Sequence, residues 1–109
     1  MGESVEVLQG TLDLLILKAL ALGPLHGWGI SKRVRQLSDD VLQVHQGSLY
    51  PALYRLEDRG WVASEWGTSP DGRRVKAYRL TPEGTAAFEA ERQSWRTFAA
   101  AMETVLRAT

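Results

Sequence analysis

Apolar residues between Leu8 and Leu22 recur with helical spacing: Leu12, Leu15, Ile16, Ala19 and Leu20 fall at i, i+3, i+4 and i+7 intervals. Leu8, Leu14, Leu17 and Leu22 make the other side apolar too, which predicts a helix from Gln9 to Leu22 covered on two sides. Gly23-Pro24 ends it, because proline cannot continue a helix and glycine accepts the cap conformation. A second helix is expected from Gly27 to about Ser38. Its Ile30, Val34 and Leu37 face inward, and Lys32, Arg33 and Arg35 face outward. Val41-Leu42-Gln43-Val44 is too short for a helix and predicts a brief strand. Leu49, Leu53 and Leu56 mark the buried stripe of a third helix, from Gln46 to Arg59, which Gly60 closes. Pro51 is tolerable there if it lies in or near the first turn, where backbone N–H groups lack intrahelical partners.

Two strands are predicted next, Trp61 to Gly67 and Arg73 to Leu80, with imperfect alternation in both. Thr68-Ser69-Pro70-Asp71-Gly72 between them is a turn-forming loop. Thr81 as N-cap, Pro82 in the first turn and Glu83 on the positive end of the dipole then start a helix that runs nearly to the last residue. The order predicts a mainly α fold with a small β-hairpin wing: a winged helix-turn-helix unit over residues 1–80 and a long C-terminal helix over 81–109. In that arrangement the third helix enters the DNA major groove, the second lies near phosphates, and the hairpin tip reaches a neighbouring groove or backbone.

Charge sharpens this. Thirteen basic and thirteen acidic residues cancel, which argues against nonspecific nucleic-acid binding. Yet Lys32, Arg33 and Arg35, then Arg55 and Arg59, then Arg73, Arg74 and Lys76 form three clumps that map onto those three elements. The chain has no cysteine, which removes disulfides and thiolate chemistry, and two scattered histidines make no zinc site. No cofactor is expected. No nucleophile elbow, phosphate loop or metal-ligand cluster is present, so an enzyme is not expected. The opening Met1-Gly2-Glu3-Ser4 lacks a basic n-region, and the most apolar stretch is too short to span a bilayer. A cytoplasmic protein without membrane association is expected.

Several motifs stand in order along almost the whole chain. They are Leu8-Gln9-Gly10-Thr11-Leu12, Gly23-Pro24-Leu25-His26-Gly27-Trp28-Gly29-Ile30, Gly47-Ser48-Leu49-Tyr50-Pro51-Ala52-Leu53, Leu56-Glu57 with Arg59-Gly60-Trp61, and Arg73-Arg74 through Tyr78-Arg79-Leu80-Thr81. Together they resemble the PadR family of transcriptional regulators, in its short subclass with a single C-terminal helix. Trp28 stands where that family usually has tyrosine. The resemblance implies a homodimeric regulator, usually a repressor of neighbouring genes, that releases its double-stranded DNA operator on binding a small molecule.

On this reading the DNA-binding candidates are Lys32, Arg33, Ser48, Tyr50, Pro51, Tyr54, Arg55, Arg73, Arg74 and Lys76. Plainer roles stand beside these. One tyrosine could pack under the wing, Arg55 could pair with Glu57 or Asp58, and surface bases are commonly idle. Thr11 is as well explained as a helix cap as by a phosphate contact, and His26 as a capping or turn-fixing residue. In the last helix Phe88, Trp95 and Met102 lie seven apart, as do Phe98 and Val105, with Glu91 the one polar defect. That spacing marks a dimerisation seam. Trp95 has two readings: burial in the seam, or, by resemblance to drug-sensing members, stacking of a small planar aromatic effector. Trp28, Trp61 and Trp66 are expected to anchor core or hairpin. The rival to DNA binding is a winged helix used as a protein-interaction module, with the wing bases meeting an acidic partner.

Overall fold

The computed structural model describes residues 11–109 and the backbone of Val5–Glu6. The elements run β1 (Val5–Glu6), α1 (Leu12–Ala21), β2 (Leu25–His26), α2 (Gly27–Leu37), β3 (Leu42–Gln43), α3 (Gln46–Asp58), β4 (Val62–Thr68), β5 (Arg74–Leu80) and α4 (Pro82–Arg107). β1 pairs in parallel with β3, and β2, β5 and β4 form an antiparallel sheet in that order. This is the expected fold, with two short strands, β1 and β2, that the sequence pattern does not announce. The segment Met1–Ser4, the predicted helix start at Gln9 and the Leu8-Gln9-Gly10 part of the first motif lie outside the described residues.

Each helix sends one stripe into a shared core. Ile16 and Leu17 from α1, Ile30 from α2, Leu49, Leu53 and Leu56 from α3, and Val62 from β4 are essentially inaccessible to water. Each contributes about 1.5–3 kcal/mol by its removal from solvent. Leu14 and Leu15 pack against this cluster from outside, so α1 is covered on two sides, while Leu22 at its end is exposed. Leu37 departs from expectation. It is 56% exposed, because the buried stripe of α2 ends at Val34, one turn before the helix does. Pro51 departs as well. It sits in the second turn of α3, where it brings no N–H to the carbonyl of Gly47, one turn earlier on an exposed part of the helix.

The hairpin outgrows the body. Val62 at the start of β4 is buried, and Glu65 to Thr68 are exposed on both faces, which is why the alternation is imperfect. Its tip is tied by Ser69, whose N–H donates to the Arg73 carbonyl (2.8 Å) and whose hydroxyl accepts from the Arg73 N–H (3.1 Å). Gly72, with φ +85°, supplies the left-handed residue the turn needs.

The start of α4 is fixed to the end of α3 by a small knot. The Thr81 N–H donates to the Trp61 carbonyl (3.1 Å), the Thr81 hydroxyl donates to the Gly60 carbonyl (2.6 Å), and the same oxygen accepts from the Gly84 N–H (3.0 Å) as N-cap. Gly84 is buried here, and a Cβ on it would lie 1.9 Å from the Trp61 carbonyl oxygen. Gly84→Ala should therefore lower unfolding free energy by at least ~2 kcal/mol in urea titration. Gly47→Ala, with no atom beyond its own turn of backbone within 4 Å of the added carbon, should leave it unchanged or raise it by up to ~1 kcal/mol.

Candidate nucleic-acid interface

With Leu49, Ala52, Leu53 and Leu56 turned into the core, α3 presents Ser48, Tyr50, Pro51, Tyr54 and Arg55 on its uncovered sides. Tyr54 is 70% exposed. Tyr50 is held across the first turn of α2, so close that a Cβ on Gly27 would lie 2.5 Å from its hydroxyl oxygen. The missing side chain at Gly27 is therefore what lets the Tyr50 ring lie down between α2 and α3.

The wing reaches the same face. Trp28 of α2, Tyr50 of α3, and Trp66, Arg74 and Lys76 of the wing all border one recess of about 280 Å³. Arg74 lies over the Trp66 ring, 4.6 Å from its centroid, and is exposed. Arg73 lies 3.6 Å from Asp71, which also accepts a short hydrogen bond from the Ser69 hydroxyl. That hydroxyl, helped by the backbone N–H groups of Asp71 and Arg73, holds the Asp71 carboxyl below its ordinary range. What the Asp71 contact adds to the tip is therefore fully present above the ordinary carboxylate range and fades as pH falls below it toward the lowered value. Lys76 turns inward, with its ammonium 3.9 Å from Glu57 and over the rings of Trp66 and Tyr78. Glu57 also accepts from the Ser64 hydroxyl (2.5 Å), so β4 and β5 are both fastened to α3. Tyr78 is buried beneath them. Burial first, then the charge of Glu57 and the nearness of Tyr50, push its phenol up, keeping it neutral.

Not every sequence candidate joins this face. The Arg33 guanidinium donates to the carbonyls of Ala19 (3.0 Å) and Gly23 (3.3 Å), where it closes the C-terminal end of α1. Arg55 pairs with Asp13 of α1 (3.0 Å), not with Glu57 or Asp58, and Arg59 shares that carboxylate at 3.9 Å. Lys32 is exposed and has no ion pair among the described residues. Thr11 occupies the N-cap position of α1 and His26 that of α2, but neither side chain makes a capping bond. His26 also stands in β2, where Ala77 of β5 is its strand partner, and its buried Nδ1 has no hydrogen-bond partner among the described residues.

The structure adds residues that sequence reasoning placed elsewhere. Trp28 and Trp66, expected as anchors, are 58% and 56% exposed, while Trp61 does pack against the core. Trp28, Ser31, Lys32 and Arg35 form the side of α2 opposite its Ile30–Val34 stripe. With Gln46, whose amide donates to the Ser31 hydroxyl (3.2 Å), they line a groove of about 560 Å³. The signal was present in the helical spacing, since position 28 is out of phase with 30 and 34. Residue type outweighed it.

In α4 the seam divides. Phe88 is 5% exposed and belongs to the chain's own core, flanked by Lys18 and Arg92 over its ring. It is corrected from a dimerisation residue to a core residue, because α4 packs on α1 up to this point. Beyond it Trp95, Phe98, Met102 and Val105 are exposed, joined by Leu106, and Trp95 and Phe98 touch with ring centroids 6.0 Å apart. No helix among the described residues is long and apolar enough to cross a membrane.

Comparison with known proteins agrees with this architecture. Residues 16–90 match the model of the Transcriptional regulator PadR-like family. The chain is 36% identical over 89 residues to the transcriptional regulator Rv3488 of Mycobacterium tuberculosis, covering 82% of this chain and 79% of that one. A transcriptional regulator from Clostridium thermocellum superposes with a TM-score of 0.80 at 30% identity, covering 88% of this chain and 90% of that one. A PadR family transcription regulator from Clostridium difficile R20291 does so with a TM-score of 0.76 at 33% identity, covering 89% and 99%.

Two neighbouring bases on α2 should behave differently. Arg33→Ala, which strips the carbonyls of Ala19 in α1 and of Gly23 just past its end of a charged donor, should cost about 1–3 kcal/mol in chemical denaturation. Lys32→Ala should cost less than about 0.5 kcal/mol.

Proposed function

The chain belongs to the PadR-like family of transcriptional regulators, a family of transcription factors rather than enzymes, and we propose that it binds a specific double-stranded DNA operator as a homodimer. The observation that carries this is the meeting of the α2, α3 and wing residues around one recess, with Arg74, Lys32 and Tyr54 facing solvent on those same elements. In this reading α3 enters the major groove with Ser48, Tyr50, Pro51 and Tyr54 foremost. Lys32 and Trp28 meet the backbone, and Arg73 and Arg74 reach phosphates or a minor groove. Residues 1–80 form the DNA-binding unit and 81–109 the dimerisation helix. Its exposed Trp95, Phe98, Met102 and Val105 are an uncovered apolar row that a second copy would cover. The family supports a cytoplasmic repressor that responds to a small molecule, with Trp95, half exposed on that row, as the residue to stack a planar aromatic effector.

The test is anisotropy of labelled DNA from upstream of the gene, across a salt series with excess random DNA. A steep log–log slope and failure of random DNA to compete are expected, whereas a protein-interaction module would give weak binding that random DNA abolishes. Arg73→Ala with Arg74→Ala should reduce the slope by about 0.9 for each phosphate that is no longer neutralised. An unchanged slope removes the wing from the interface. Truncation from Ala90 onward should leave monomers in light scattering, and dimers that persist would move the interface elsewhere.

A further inference from the structure

α3 is the helix that the DNA reading sends into the major groove, yet it brings no unmatched positive charge there. Its only base is Arg55, and Arg59 caps its C-terminal end. Both guanidiniums turn to a single carboxylate on another helix, Asp13 in the first turn of α1, at 3.0 Å and 3.9 Å. Acids stand nearer in the sequence. Glu57 and Asp58 follow Arg55 by two and three residues, and the second of these is at a spacing that favours pairing along a helix. Arg55 instead reaches a partner 42 residues away, because α1 lies against that flank of α3. Asp13 is also the least exposed carboxylate among the ion pairs of the described residues, with its side chain 27% exposed, while both arginines are half-exposed. Arg55 itself lies one turn beyond Pro51 and next to Tyr54, at the edge of the face turned to DNA. A free guanidinium there would take any phosphate, whatever the sequence around it.

We propose that Asp13 is a specificity-determining residue, which holds Arg55 and Arg59 off the phosphates and so suppresses sequence-independent binding. The proposal rests on the DNA reading above. With Asp13 in place, a phosphate contact by Arg55 is an exchange and not a gain: one anion is given up for another, and the abandoned carboxylate is left facing the phosphate. Without it the contact is a net one and releases a counterion. The difference is largest on random DNA, where nothing fixes the orientation of the protein and a free guanidinium settles on whichever phosphate is near. On an operator the base contacts set the register, and the extra cation has less choice. Asp13 thus leaves the choice of site to the other residues of α3.

Anisotropy of a labelled random duplex, titrated with the full-length protein across a salt series, tests this. Asp13→Asn should bind random DNA about three-fold more tightly or better at low salt, with a log–log slope steeper by about 0.9 for each new phosphate contact. It should gain less on the upstream DNA. Asp13→Ser, with a residue suited to a helix N-terminus, is a second variant expected to behave alike, and circular dichroism checks that each keeps the fold. In a background of Arg55→Gln with Arg59→Gln, Asp13→Asn should gain less than about three-fold, since no guanidinium is left to release. Loss of a negative charge by itself would act equally in both backgrounds. Arg55→Gln alone should change random-DNA affinity by less than about three-fold, because that arginine is already engaged. A carboxylate that only staples α1 to α3 predicts the opposite sign, with binding unchanged or weaker once it is removed. A smaller gain in both Asp13 variants, a gain that survives loss of both arginines, or a greater loss in Arg55→Gln overturns the proposal. Specific upstream binding by the unaltered chain, with the Asp13 variants indistinguishable from it on random DNA, overturns the proposal and keeps the DNA reading. Absence of binding to either DNA by every form discards both.

Discussion

Four elements end or begin within one side-chain length of the Trp61 carbonyl, and the orientation of everything else follows from that contact. α3 has just closed at Gly60, β4 is about to start, β5 returns at Leu80, and α4 departs through Thr81 and the bare Cα of Gly84. One threonine supplies three of the hydrogen bonds that hold the knot. Because Gly84 sits directly on the backbone of the α3–β4 connection, α4 cannot tilt without carrying the wing and the end of α3 with it. A packed junction of this kind transmits movement because it has no slack to absorb it.

The same economy governs the charges. Net neutrality hides a division of labour: Asp13 gathers Arg55 and Arg59 against α1, Glu57 holds Lys76 and Ser64, and Asp40 pairs with Arg35. Among the described residues, what remains without an acid on the α2–α3–wing face is a small set, led by Lys32 and Arg74. These exposed pairs add little stability, since surface ion pairs are worth at most about 1 kcal/mol. Their effect is positional. They decide which cations stay available and which are spent on holding helices together.

Helices, hairpin and their order were legible in the sequence because each depends on local rules: apolar period, a proline, a glycine, a threonine cap. The two-residue strands β1 and β2 were not, since their pairing partners lie far along the chain and two residues carry no period. Arg33 and Arg55 illustrate a second limit. An outward-facing base on a helix gives no sign of whether a neighbouring helix will offer it carbonyls or a carboxylate. Trp28, Trp66 and Phe88 illustrate a third. Residue type alone made the two tryptophans anchors of core or hairpin, and a seven-residue series predicted an intermolecular role for the phenylalanine. Only the length of α1 alongside α4 decides where the chain's own core stops.

Beyond Phe88 the residues from Glu89 to Arg107 are exposed, and of these only Arg92 and Ala99 are partly covered among the described residues. A free helix of that length in water is marginal, because nucleation is costly and no packing repays it. If a second copy covers this segment, its ordering and its association become one event, and the measured affinity contains a folding term. Such coupling would show as a large negative heat-capacity change. The strength of pairing would then vary steeply with temperature, so that the fraction of molecules able to span two DNA half-sites would shift with warming.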